Sequence, residues 1–170
     1  MRIEIEKLEE SGGRFAQTYR ELPFDEAELQ LLEPVEVEGR VRRKQDREIE
    51  LNGRLRTRVS VPCARCLKPV ALPIEERFTE RFVPAVAWRD EEQHELDQED
   101  LNLAVFDGEG IELDDLVKEE ILLAVPHQIL CRTDCQGLCP VCGLDRNEST
   151  CECETKAVDS RWEKLKDLRL

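Results

Sequence analysis

An α+β fold is what this sequence predicts: a mainly antiparallel sheet, one helix packed on it, and a cysteine-rich C-terminal segment. Three observations carry that expectation. Apolar and charged residues alternate with period two over residues 47–61 and again over 70–82. Helical spacing is clear only over residues 112–125, with two shorter candidates at 23–32 and 158–170. Six of the eight cysteines fall within residues 131–153, and the other two are Cys63 and Cys66.

The 170-residue chain is long enough to bury one real core, and its low aromatic content of 5% makes that core aliphatic. In chain order, Ile3 and Ile5 alternate with charges as in a half-buried strand, which Gly12-Gly13 ends. Residues 23–32 (PFDEAELQLL) are compatible with a short helix stopping before Pro34. Val35, Val37, Gly39 and Val41 alternate with charged residues as a strand. Ile49 and Leu51 begin the clearest strand pattern, Asn52-Gly53 signals a turn, and Leu55, Thr57, Val59 and Val61 continue on one face. Val70, Leu72, Ile74, Phe78 and Phe82 resume the pattern up to Pro84.

The polar run from Trp88 to Asp100 reads as a surface loop, with an acidic magnesium site as the sharper alternative. Residues 102–106 form a short strand ending at Asp107-Gly108. Residues 112–125 form a helix that Asp114 or Asp115 can cap, with Leu113, Leu116, Val117, Glu120, Ile121 and Ala124 at helical spacing. The terminal stretch VDSRWEKLKDLRL repeats Trp162, Leu165 and Leu168, a stripe that either docks on the core or binds a partner.

The charge is unevenly distributed. The net charge of -14 argues against wholesale nucleic-acid binding. Residues 39–68 nonetheless carry ten basic side chains against three acids, whereas residues 75–120 carry 17 acids against four bases. Two different contact surfaces are expected. Arg54, Arg56 and Arg58 fall on one strand face, spaced roughly 6.6–7 Å apart, a spacing close to that of successive phosphates. They form either an ordinary solvated face or a phosphate-contacting ladder. The candidate RNA-binding set is Arg40, Arg42, Arg43, Arg54, Arg56, Arg58, Arg65 and Lys68. No apolar run approaches the roughly 18 residues needed to span a membrane, and the first residues lack an apolar signal-peptide region, so a cytoplasmic location is expected. In a reducing cytosol, eight cysteines point to metal rather than to disulfides.

The cysteine spacing after Cys131 is C-x3-C-x3-C-x2-C-x8-C-x-C, and Cys63-Ala-Arg-Cys66 adds a second C-x2-C turn between two strand patterns. Such a turn aims both sulfurs at one ion, and thiolate is a favoured structural zinc ligand. Gly143, just past Cys142, permits the positive φ that a knuckle of this kind demands. The segment therefore reads as zinc-ribbon-like. Eight thiols divide most economically into Cys139, Cys142, Cys151 and Cys153 around one ion, and Cys63, Cys66, Cys131 and Cys135 around another. A one-ion model using Cys63, Cys66 and two thiols of the cluster competes with it, giving one or two structural zinc ions. His127, four residues before Cys131, is an alternative ligand, and His94 lies in the acidic run. CPVC also resembles a redox motif, although turn formers (GLDRNEST) follow it where a helix is needed to lower the thiol pKa. No catalytic constellation emerges, and no enzymatic activity is expected. Residues 1–130 are read as an α+β body carrying the first knuckle. Residues 131–170 are read as a cysteine-rich segment with a terminal helix, packed on that body as one structural unit.

The combination of VPCARCL, EEILLAVP, LCRTDCQGLCPVCGLDRNESTCEC and VDSRWEKLKDL resembles the YceD family of large ribosomal RNA subunit accumulation proteins. The likeness runs from about residue 30 to the end, and the family's cysteines match the eight present here. It implies a factor for the synthesis, processing or stability of 23S ribosomal RNA in bacteria and plastids, and it supplies no catalytic residues. The expected partner is ribosomal RNA or a ribosomal protein, with no membrane and no small-molecule substrate. An acidic adaptor or chaperone for ribosomal proteins is the alternative, with a thiol oxidoreductase as a third class.

Overall fold

The computed structural model describes residues 1–9, 12–24, 29–44, 48–85, 103–106 and 109–153. Its elements are β1 (Arg2–Glu4), a 3-10 turn (Ile5–Lys7), β2 (Gly13–Tyr19), β3 (Gln30–Leu31), β4 (Val35–Arg43) and β5 (Ile49–Pro62). They continue with β6 (Pro69–Pro84), β7 (Leu103–Phe106), β8 (Gly110–Glu112) and the helix α1 (Leu113–Ala124). The main sheet runs β2-β4-β5-β6-β7, with β3 continuing the β4 side of β5. All its pairings are antiparallel except β6 with β7. A separate two-stranded ribbon pairs β1 with β8 and leads directly into α1.

The strands form because their apolar residues recur every second position, so one face can be buried whole. Val35, Val37 and Val41 of β4 and Ile49, Leu51, Leu55, Val59 and Val61 of β5 all face inward and are buried. The opposite face carries the arginines and glutamates. Leu113, Leu116, Val117 and Ile121 give α1 one buried stripe in the same core, as the helical spacing predicts. Tyr19 donates from its hydroxyl to Asp114 at 2.7 Å and so ties β2 to the helix.

Several expectations need correction. Asn52-Gly53 is not a turn. β5 runs straight through it, with Asn52 between Arg40 and Thr79, and Gly53 between Gly39 and Phe78. The glycines are there because the strands need room. A Cβ on Gly39 would sit 2.3 Å from the Asn52 carbonyl and 2.5 Å from the Phe15 ring, and one on Gly53 would sit 2.4 Å from Phe78. The two rings lie over the paired glycines on the core face, filling the space that side chains would take. The short helix expected over 23–32 does not extend to its end, because Gln30 and Leu31 form β3. Residues 25–28 lie outside the described set. Neither Asp114 nor Asp115 caps α1; the N-cap is Glu112, which makes no side-chain capping bond. β2 was not anticipated at all, since Gly-Arg-Phe-Ala-Gln-Thr-Tyr carries only two large apolar residues, Phe15 and Tyr19. The acidic run 88–100, the Asp107-Gly108 turn and the terminal helix 158–170 lie outside the described residues.

Candidate metal centres and the basic sheet face

Two short turns bring the cysteines together, and they are built alike. In the first, Pro62 pairs with Pro69 across the loop carrying Cys63 and Cys66. In the second, Leu138 bridges Asp145 across the loop carrying Cys139 and Cys142. The Cys63 amide donates to the Lys68 carbonyl at 2.8 Å, and the Cys139 amide donates to Leu144 at 2.8 Å. The Leu67 amide returns to Cys63 at 3.0 Å, as the Gly143 amide returns to Cys139 at 2.9 Å. The residue after the second cysteine is left-handed in both, Gly143 at φ 74° as expected and Leu67 at φ 61°. A leucine in that conformation is strained where the glycine is not.

Each turn receives a second cysteine pair. The sulfurs of Cys63, Cys66, Cys131 and Cys135 lie within 4.8 Å of one another, as do those of Cys139, Cys142, Cys151 and Cys153. Cys63 and Cys135 are 3.8 Å apart, and Cys66 and Cys131 are 3.5 Å apart. A disulfide requires about 2.05 Å. Four sulfurs around an ion with bonds of about 2.3 Å stand roughly 3.8 Å apart along each tetrahedral edge. Either group could therefore hold a metal ion. His127, exposed just after α1, belongs to neither set.

The electrostatics fit a cation. The amide of Cys66, joined by that of Arg65, points at the Cys63 sulfur and lowers its thiol to about 6. The amides of Cys142 and Val141 do the same for Cys139. In contrast, the neighbouring Cys66 sulfur pushes Cys131 upward, and Cys142 pushes Cys153 upward. Each set thus favours one thiolate and resists the next, because like charges are crowded together. A divalent ion removes that resistance and lets all four ionise.

One supporting residue had no signal in the sequence. Asn147 sits in the loop between Cys142 and Cys151, yet its side-chain amide reaches Cys135 of the other set at 3.5 Å. Its carbonyl oxygen accepts from the Gln136 amide and from Arg132, each at 2.8 Å. Asn147 also bonds Asp145, whose carboxylate pairs with Lys68 at 2.9 Å. The two sets are therefore mechanically linked through one loop.

Of the basic candidates, Arg40, Arg42, Arg54, Arg56 and Arg58 project from the open sheet face. Arg43 turns to the other face and donates to the Ile5 carbonyl. Arg65 donates to the Cys135 carbonyl at 2.7 Å, and Lys68 pairs with Glu148 at 2.6 Å as well as with Asp145, so both hold the first cysteine turn to the C-terminal segment. The Arg54, Arg56 and Arg58 ladder is paired in turn with Glu38, Glu75 and Glu33.

These features define a mainly antiparallel β protein with two four-cysteine groups capable of holding metal, one of which clasps the turn between its central strands to the C-terminal segment. The chain belongs to the YceD family, described as large ribosomal RNA subunit accumulation protein, whose model matches residues 51–169. It is 35% identical over 106 residues to uncharacterized protein Rv2926c of Mycobacterium tuberculosis, covering 62% of this chain and 48% of that one. The match thus spans about half the length of that relative. Against uncharacterized protein YlbN of Bacillus subtilis it is 27% identical over 168 residues, covering 97% of this chain and 92% of the other. No solved structure matches it. No helix among the described residues is long and apolar enough to cross a membrane.

Proposed function

We propose that this protein is a non-enzymatic factor supporting the synthesis, processing or stability of 23S ribosomal RNA during large-subunit biogenesis. The observation that carries the reading is the family match across residues 51–169. The two tetrathiolate groups supply structural zinc sites in a zinc-ribbon-like arrangement. Zinc there contributes folding free energy, on the order of 10 kcal/mol per site in small model systems. Cys63, Cys66, Cys131 and Cys135 hold one ion, and Cys139, Cys142, Cys151 and Cys153 hold the other. Depletion of the protein from its native host should lower 23S relative to 16S ribosomal RNA; an unchanged ratio overturns the reading. Protein purified without chelator should carry about two zinc ions per chain, and metal-free protein with a full set of reactive thiols refutes the zinc assignment.

A second reading, an acidic adaptor for basic ribosomal proteins, is favoured by the net charge of -14 and by a seam of carboxylates where α1 meets β6. Burial and the neighbouring carboxylates raise Glu80 and Glu120 along that seam. It predicts capture of ribosomal proteins without RNA crosslinks. The oxidoreductase reading requires a measurable Cys139–Cys142 reduction potential and activity lost on zinc addition. CPVC lies in a turn between Leu138 and Asp145, with both sulfurs grouped with Cys151 and Cys153.

A further inference from the structure

Four of the eight arginines described on the open sheet face stand opposite a glutamate, Arg54 among them through Glu38. Arg42 pairs in register with Glu50, Arg56 with both Glu36 and Glu75, and Arg81 with Glu50. Two adjacent rows in the middle set arginine opposite arginine. In one, Arg14 of β2 stands directly opposite Arg40 of β4. In the next, Arg54 of β5 stands directly opposite Arg77 of β6. Like charges directly opposite on one sheet face are destabilising. Two such pairs side by side, on a sheet that matches its charges elsewhere, are a cost that folding alone does not explain.

The four guanidinium groups belong to four successive strands, a band about 14 Å wide at the usual strand spacing. They line a shallow concavity of about 760 Å³ floored by Gly39 and Gly53, with Asn52 and Thr79 as neutral polar groups between them. Glu38, paired with Arg54, is its one acid. Arg14, Arg40 and Arg77 are exposed. Among the described residues they make no ion pair, whereas Arg54, Arg56, Arg58 and Arg81 each have a glutamate. The phosphate-contacting surface expected of the Arg54, Arg56 and Arg58 ladder is therefore displaced. It runs across the strands, not along one of them, and it includes two arginines, Arg14 and Arg77, that lie outside the basic stretch of the sequence.

We infer that this central band of Arg14, Arg40, Arg54 and Arg77 is an RNA-backbone-binding face, holding successive phosphates across the sheet. An RNA backbone supplies negative charge at a repeat that a row of guanidinium groups can follow, and phosphate is the partner for which the arginine fork is suited. The net charge of -14 does not forbid this, because screening over about 8–10 Å makes a contact answer to its local charge. The inference rests on the proposed role only in naming the RNA as ribosomal.

The test compares wild-type protein, zinc-loaded as purified, with Arg14→Gln/Arg40→Gln/Arg77→Gln. Binding to 23S rRNA fragments is measured over a salt series. The triple variant should bind at least tenfold more weakly near 0.1 M salt. The slope of log K against log salt should fall by about 2, since each single-strand phosphate contact contributes about 0.7. Arg56→Gln/Arg58→Gln, on the same face but ion-paired with glutamates, should change affinity less than threefold. The melting temperature of the triple variant should be unchanged or higher, because the Arg14–Arg40 and Arg54–Arg77 repulsions are relieved. Wild-type affinity in the triple variant, or an equal loss in the Arg56/Arg58 variant, overturns the inference. Wild-type protein that binds no RNA but captures an acidic protein through the same arginines also overturns it. In cells, loss of RNA binding with normal 23S levels leaves the face standing and removes the proposed role. Normal RNA binding by the triple variant, with 23S lost on depletion, does the reverse.

Discussion

Leu67 and Gly143 occupy the same place in two copies of one turn, and only one of them suits it. The left-handed backbone costs a leucine about 1–2 kcal/mol, against which glycine loses about 0.5–1 kcal/mol of unfolded-chain entropy. Leu67 is 63% exposed, so its side chain gives little packing in return. Leu67→Gly is therefore expected to be neutral or to stabilise by up to about 1 kcal/mol, and Gly143→Leu to destabilise by a similar amount, as read from urea unfolding. Asn147 makes a different prediction. It donates to the Cys135 sulfur and holds the Gln136 amide, so Asn147→Ala should speed zinc loss from the first set to a chelator about tenfold or more. Unchanged release kinetics would show that Arg65 and Lys68 suffice. The glycine at position 143 was legible from the C-x2-C-Gly pattern. Asn147 was not, because a hydrogen bond to a thiol twelve residues away leaves no periodic or motif trace.

At the scale of elements, the long β5–β6 pair explains both the success and the failure of pattern reading. Period-two alternation located β4, β5 and β6 because each gathers most of its buried residues on one face. The same chain hid a misleading Asn-Gly pair, whose glycine serves ring packing and not reversal. A Cβ at Gly39 meets backbone, which cannot yield, while one at Gly53 meets the Phe78 ring. Gly39→Ala is therefore expected to cost more, roughly 2–4 kcal/mol, than Gly53→Ala, at about 1–3 kcal/mol, with Phe78→Leu rescuing the second alone. At the helix–sheet seam, Glu80 and Glu120 lie above the ordinary glutamate value, first through burial and then through neighbouring carboxylates. Folding thus favours their protonated forms. Their contribution to stability is complete below the ordinary value near 4.5 and is lost as pH rises through the higher folded value. Glu120→Gln should raise the melting temperature at pH 7 by a few degrees at most, with the gain vanishing below about pH 4.

For the whole molecule, the first thiol set joins the turn between β5 and β6 to residues 131–135. Around it, the Ala64 amide donates to Ile129 at 2.7 Å and the Leu138 amide to Arg65 at 3.1 Å. The ends of the sheet and the C-terminal segment are thus fixed to each other through that set. Cys63→Ser should lower the melting temperature of the entire chain by ten degrees or more, because the ion's folding free energy is comparable to the stability of a domain. Cys153→Ser, in the second set, should have a smaller effect, since that set is confined to residues 139–153. Equal melting curves for wild type and Cys63→Ser would show that the clasp is not what holds the fold.

By itself the sequence determined the parts: three long amphipathic strands, one amphipathic helix, eight thiols spaced for metal with two sets of four as the most economical division, and a basic stretch followed by an acidic one. Those follow from local periodicity and from the demand of a metal for four close ligands, both of which are written in spacing. Only the tertiary structure decided which charges meet. Cross-strand register brings glutamates to Arg54 and Arg56, the segment before β4 brings Glu33 to Arg58, and register sets Arg14 beside Arg40 and Arg54 beside Arg77. Register depends on how whole strands align, so a surface assembled across four of them cannot be read along any one.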